Sequence, residues 1–135
     1  MRKLKIFSDG CSRGNPGLAG IGYIILDMDN RIIVERAKFI GVRTNNEAEY
    51  IAAIEALKEA LSLDADEVEL YSDSKLLVKQ LRGEYRVRNP RLKQLHKLLS
   101  TIASRFRLFR IEHIRRIENM RADKLAKAAA SQGEE

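Results

Sequence analysis

The chain has 135 residues, 44% hydrophobic and 33% charged, with a formal net charge of +6. That size and balance describe a folded domain with one real core rather than a disordered segment. No apolar run approaches the roughly 20 residues of a membrane helix, and Cys11 is the only cysteine, which excludes an internal disulfide and a cysteine-rich zinc site.

Strand one is expected over Lys3 to Asp9, a short, largely apolar run that ends on a carboxylate before the tight stretch Gly10-Cys11-Ser12-Arg13-Gly14-Asn15-Pro16-Gly17. Strand two runs from Ala19 to Asp27, its glycines leaving room for a neighbouring backbone. Asp29-Asn30 is a turn signal, and Arg31 to Ile40 returns as strand three with near alternation. These three are expected to form an antiparallel meander. Thr44-Asn45-Asn46-Glu47 is a Thr-x-x-Glu capping box. It opens a helix whose apolar face is Ala48, Ile51, Ile54, Leu57, Ala60 and Leu61. Strand four, Glu67 to Ser72, follows that long helix and is therefore expected to lie parallel to strand one. A second helix over Ser74 to Arg82 stops at Gly83. Asn89-Pro90 opens a third, with Leu92, Leu95, Leu99 and Ile102 as its seam. Strand five is Phe106 to His113, and Asn119 is expected to cap a last helix that buries Ala122, Leu125, Ala126 and Ala129. Residues 1–130 then make one catalytic or binding domain, and the polar tail 131–135 is expected to fray. The order βββαβααβα implies an α/β fold, a five-stranded mixed sheet with helices on both faces.

Right-handed crossover places strand four beside strand one. Asp9 and Asp73 then leave the same sheet edge about 4.8 Å apart, where open α/β sheets keep their chemistry. Glu49 and Asp123, near the starts of the first and last helices, can close the cluster. Four carboxylates together repel and would take up protons. Divalent cations resolve the conflict, and hard oxygen ligands suit Mg²⁺ or Mn²⁺. Two such ions about 4 Å apart can activate a water on one side of a phosphodiester and stabilise the leaving oxygen on the other. Each acid also has a local explanation: Glu49, Asp73 and Asp123 complement helix dipoles, and Asp9 serves the turn before Gly10. Between Lys75 and Lys97 lie Lys79, Arg82, Arg86, Arg88, Arg91 and Lys93 against the single acid Glu84. Such a stripe is either a solvated helix face or an attractor of polyanions, nucleic acid first among them.

Four stretches stand in one order along nearly the whole chain. They are Asp9-Gly10-Cys11-Ser12-Arg13-Gly14-Asn15-Pro16-Gly17, Thr44-Asn45-Asn46-Glu47-Ala48-Glu49, Ser72-Asp73-Ser74 and Glu118-Asn119-x-x-Ala122-Asp123. Together they resemble type 1 ribonuclease H. The resemblance implies a ribonuclease H-like fold and metal-dependent hydrolysis of the RNA strand of an RNA–DNA hybrid, leaving 5′-phosphate and 3′-hydroxyl ends. It implies Asp9, Glu49, Asp73 and Asp123 as ligands of two Mg²⁺ or Mn²⁺ ions bound with substrate, Asp9 bridging both. It further implies that His113 assists proton transfer or product departure, which a near-neutral imidazole permits.

For substrate choice it implies that Asn15, Asn46 and Glu49, with backbone groups at Gly10 and Ser12, touch ribose hydroxyls, the groups that separate RNA from DNA. Thr44 and Asn45, with Arg43 beside them, match positions at a pocket for a phosphate of the DNA strand. His96 has no counterpart and is expected on a helix surface. Many relatives carry a basic, tryptophan-rich protrusion where this chain has only residues 83–90 without tryptophan. The loop after His113 reads Ile114-Arg115-Arg116-Ile117 in place of a glycine-containing form, and Arg115 and Arg116 are candidate phosphate contacts. Double-stranded RNA is a further candidate substrate. No signal-peptide pattern stands at the N-terminus, so a cytoplasmic monomer without membrane association is expected. A non-catalytic hybrid-binding module and a DNA resolvase or integrase compete on the same fold.

Overall fold

The structure is a computed structural model that describes residues 1–133. Three strands, β1 (Lys3–Ser12), β2 (Gly17–Leu26) and β3 (Ile32–Arg43), make the meander, and helix α1 (Asn45–Ser62) crosses to β4 (Glu67–Ser72). Helices α2 (Lys75–Leu81) and α3 (Pro90–Ala103) precede β5 (Leu108–His113), and a 3₁₀ turn, Arg116–Asn119, leads into α4 (Met120–Gln132). The strand order is β3-β2-β1-β4-β5, antiparallel from β3 to β1 and parallel from β1 to β5. The α/β mixed sheet expected from the sequence is what the chain forms. No helix among the described residues is long and apolar enough to cross a membrane.

Local signals set most boundaries. Thr44 accepts from the Glu47 N–H while the Glu47 carboxylate accepts from the Thr44 N–H, a complete capping box. Ser74 caps α2, and Asn89 accepts from the N–H groups of Arg91 and Leu92 with Pro90 in the first turn of α3. After α2, Gly83 takes φ +79°, and the N–H groups of Gly83 and Glu84 donate to the carbonyls of Gln80 and Lys79, the Schellman closure that a left-handed glycine permits. Residues 82–89 join α2 to α3 without a helix or strand.

The core lies between the sheet and α1. Leu4, Ile6, Ile21, Tyr23 and Ile25 meet Ala53, Ala56 and Leu57, with Leu99 of α3 packed on the same cluster. The opposite face is covered by α4, whose Ala122, Ala126, Ala129 and Ala130 are fully buried. Small residues there let the helix backbone reach the sheet: a Cβ at Gly22 would stand 2.6 Å from Ala122 O and from Ala126 N. Because residues paired across neighbouring strands share a face, the register assigns Gly10 and Ile21 to the α1 side and Asp9 and Gly22 to the α4 side.

Several expectations are corrected. β1 does not end at Asp9; it stays paired with β2 as far as Ser12↔Ala19, whereas its parallel ladder with β4 stops at Ser8↔Ser72. β3 likewise continues to Arg43, and β5 begins at Leu108, with Phe106 buried in the turn after α3. Asn119 makes no side-chain cap on α4; its amide nitrogen donates instead to the Ser8 carbonyl at 2.8 Å, tying the 3₁₀ turn to β1. Leu125 is only half-buried, and Ala130 takes the fully buried place. The last helix includes Ser131 and Gln132, and Glu134 and Glu135 lie outside the described residues. His96 is half-buried, with Nε2 3.1 Å from the Gln80 carbonyl and its ring edge against Tyr50.

Candidate active site

Where the β1–β4 ladder stops, the two strands part and their next residues, Asp9 and Asp73, turn into one cleft of about 300 Å³. Glu49 enters from the second turn of α1. That helix can come so close because position 10 carries no side chain: any Cβ there would collide with the backbone of Ala48. The Gly10 N–H then donates to Glu49 Oε1 at 2.8 Å and fixes one carboxylate oxygen. Asp9, Glu49 and Asp73 each present a carboxylate oxygen, and the three oxygens lie within 4.8 Å of one another.

Asp123 arrives from the first turn of α4, in hydrogen-bond reach of Asp9 but outside that group of three. Its Oδ2 stands 3.0 Å from Lys127 Nζ and 3.7 Å from an Arg116 guanidinium nitrogen. The Lys127 ammonium and the Arg116 guanidinium thus share one buried carboxylate oxygen. Asn119 reaches Asp73 as well as Ser8, so the turn before α4 braces the cluster.

The electrostatics separate the acids. Burial, then the charges of Glu49 and Asp73, push Asp9 up to about 10. Burial and the Asp73 charge push Glu49 up to about 8, against the opposing N–H of Gly10. Asp73 is raised by burial and by Asp123. Burial also pushes Asp123 upward, but Lys127, Asp9 and Arg116 outweigh it and its pKa falls. Three acids therefore have raised proton affinity, and the fourth already pairs with cations. Three convergent hard oxygens with raised proton affinity fit a divalent cation such as Mg²⁺ or Mn²⁺.

The glycine-rich end of β1 is wired to the start of α1. Asn45 Oδ1 accepts from the Ser12 N–H at 2.8 Å, and Asn15 Oδ1 accepts from the Asn45 N–H at 3.1 Å. The Ser12 hydroxyl has one proton for two carbonyls, those of Gly14 and Arg43, and stands 2.8 Å from the latter. Beside this junction opens a second cleft of about 420 Å³ that includes Asn15, Thr44 and Asn46, and on its far wall Asn89 and Arg91 of the α3 start. Two helix N-termini thus face one groove, a setting that suits phosphate. Arg43 ion-pairs with Glu47 at 3.8 Å and remains half-exposed.

Not every expected residue joins the cleft. His113 ends β5 opposite Ser72, one register position before Asp73, and is exposed outside the lining of the acid cleft. Conversely, Lys127, Cys11 and Asn89 were missed as site residues. Lys127 was legible as the residue four after Asp123 on one helix face. Asn89 was visible only as a cap. Cys11 shares the Asp9 face of β1, and burial and the Asp9 charge raise its thiol, which keeps it neutral.

Residues 7–129 match a family profile described as reverse transcriptase-like. Ribonuclease HI of Halobacterium salinarum is 39% identical over 127 residues, covering 94% of this chain and 64% of that protein. The bifunctional protein Rv2228c of Mycobacterium tuberculosis is 41% identical over 128 residues, 94% of this chain and 35% of its own length. The chain thus spans only about a third to two thirds of these curated relatives. Among solved structures, LC11-RNase H1 in complex with an RNA/DNA hybrid superimposes with a TM-score of 0.91 at 38% identity, covering 98% of this chain and 99% of that one.

Proposed function

Since this chain belongs to the ribonuclease H family, we propose that it is a metal-dependent endoribonuclease that cuts the RNA strand of RNA–DNA hybrids, leaving 5′-phosphate and 3′-hydroxyl ends. The observation that carries this is the convergence of Asp9, Glu49 and Asp73 within 4.8 Å, beside a polar groove of about 420 Å³ that Asn15, Thr44 and Asn46 line. A binding module gains nothing from holding such mutual repulsion.

Asp9, Glu49 and Asp73 would hold one Mg²⁺ or Mn²⁺ ion, and Asp9 with Asp123 a second. Bound there, such ions supply Lewis acidity toward a phosphodiester and lower the pKa of a coordinated water. The chain itself supplies orientation. Gly10 holds one oxygen of Glu49, Asn119 steadies Asp73, and Lys127 and Arg116 keep Asp123 ionised. The strapped junction of Ser12, Asn15 and Asn45 presents Asn46 and the second amide atoms of Asn15 and Asn45 to ribose hydroxyls. The groove between Thr44 and Asn89 takes a phosphate of the other strand. His113, exposed at the sheet edge, accepts or delivers a proton as product leaves. Double-stranded RNA is carried as a second candidate substrate, which the cleavage test below includes.

The test is cleavage of labelled hybrid, duplex RNA and duplex DNA, each with Mg²⁺ and with Mn²⁺. Hybrid is expected to be cut at internal positions and duplex DNA to survive. Asp9→Asn is expected to lose at least a hundredfold in rate, and His113→Ala about tenfold to a hundredfold. Equal cutting of duplex DNA, or undiminished cleavage by Asp9→Asn, overturns the proposal.

A further inference from the structure

Between α1, α2 and α3 runs a set of polar contacts that the proposed chemistry does not use. Gln80, 5% exposed on α2, is bound at both ends of its side-chain amide and at its carbonyl. The Tyr50 hydroxyl of α1, itself buried, donates to Gln80 Oε1 at 2.6 Å. Burial pushes the Tyr50 phenol up to about 12, so it stays protonated as the donor. Gln80 Nε2 donates to the Arg86 carbonyl at 3.3 Å. The Gln80 carbonyl accepts from the Gly83 N–H and from His96 Nε2 of α3, each at 3.1 Å. A flipped Gln80 amide would set its oxygen against the Arg86 carbonyl, so the network admits one orientation. Arg86 lies in the 82–89 connection, which no helix or strand holds. That connection is closed onto α2 through Gly83, Glu84 and Tyr85, and Asn89 ends it as the cap of α3. Between these ends, Val87 packs half-buried against the core and the Arg86 carbonyl takes the Gln80 amide. Three residues after Arg86 stands Asn89, on the far wall of the groove. On the near side, Tyr50 stands one helical turn after Asn46 on the same face of α1. Gln80 thus ties the two walls together from outside the groove lining.

We infer that Gln80 is a positioning residue for nucleic-acid binding: braced by Tyr50 and His96, its amide fixes the 82–89 connection through the Arg86 carbonyl and so sets the spacing of the groove between Asn46 and Asn89. This rests on the proposed function in one respect, that the groove takes a phosphate. A phosphate gripped from two walls needs both sets of donors at hydrogen-bond distance at once. A connection that has to be ordered at the moment of binding takes that cost out of the affinity, whereas one already tied does not. An apolar side chain at position 80 would fill the same space between α1 and α2; what the amide adds is its hold on Arg86. Neither Gln80 nor Arg86 lines the acid cleft, so the tether bears on KM and leaves kcat in place.

The test separates positioning from plain stabilisation. Tyr50→Phe, Gln80→Met and the double variant are compared with the wild type by urea unfolding, by hydrogen exchange over residues 82–89, and by KM and kcat on labelled hybrid. Tyr50→Phe leaves Gln80 Oε1 unpaired but keeps the hold on Arg86, so it is expected to lose stability while KM rises about twofold at most. Gln80→Met is expected to lose stability, to exchange faster over residues 82–89, and to raise KM about fivefold to tenfold with kcat within about twofold of the wild type. The double variant removes both buried polar partners together. It is expected to regain most of the lost stability while its exchange and KM stay as high as in Gln80→Met. A KM that recovers with stability, a KM unchanged in Gln80→Met, a loss carried by kcat, or unchanged exchange over residues 82–89 overturns the inference and leaves the proposed function standing. A wild type that neither binds nor cuts hybrid overturns both.

Discussion

Asp9 shows how much one side chain can carry. It sits at the first position after the β1–β4 ladder stops, 4% exposed, with three acids pressing on it. Its folded pKa of about 10, against an ordinary 3.8, means the folded protein binds that proton more tightly than the unfolded chain. The resulting stability is full below about pH 4 and is lost as pH rises toward 10. Glu49 acts in the same direction between 4.5 and about 8. In the presence of a chelator, Asp9→Asn is therefore expected to melt higher than the wild type, by little at pH 5 and by several degrees at pH 9, each kcal/mol being worth roughly 3–5 °C. Saturating Mn²⁺ is expected to reverse the order, because it stabilises only the protein that can bind it. Thermal melts at both pH values, with chelator and with Mn²⁺, check this. A difference that does not grow with pH would mean that Asp9 is not the group that titrates.

At the level of elements, catalytic geometry depends on how closely two helices approach the sheet. Gly10 admits α1 on one face and Gly22 admits α4 on the other. Asp9 and Gly22 are register partners on the α4 side, so anything that lifts α4 at Gly22 also moves Asp123 away from Asp9. Gly22→Ala places a Cβ against Ala122 O and the Leu125 Cβ, both about 2.5 Å away, where backbone cannot yield cheaply. It is expected to cost about 1–3 kcal/mol and to weaken Mn²⁺ binding severalfold in the fraction that remains folded. Denaturant titration and calorimetry measure the two effects, and unchanged stability would show that α4 has slack. The helix caps were legible from four-residue patterns because capping is local. The failure at Asn119 has the opposite cause: its amide meets Ser8, 111 positions away, a partner that no local pattern reveals.

Across the whole molecule, the net charge of +6 is partly spent internally. Lys79 pairs with Glu84 and Arg82 with Glu112, so the stripe seen in sequence loses two of its cations to structural ties. Arg91 remains at the rim of the groove between α1 and α3. Hybrid affinity is expected to fall steeply with salt, and Arg91→Ala to reduce the slope of log K against log salt by roughly 0.9, one phosphate contact. Fluorescence anisotropy from 50 to 300 mM salt measures it; an unchanged slope would place the nucleic acid elsewhere.

The sequence by itself determined the order and type of the elements, the parallel neighbours β1 and β4, and which four acids meet at one cleft, because periodicity, caps and crossover handedness are properties of short stretches and of chain connectivity. It could not tell that β1 runs on to Ser12, since that depends on β2 still pairing after β4 has parted. Nor could it divide the acids into three without an ion pair among the described residues and one that has two. That division arises from where Lys127 and Arg116 come to rest. Opposite charges respond to distance in space, and only the packed fold sets those distances.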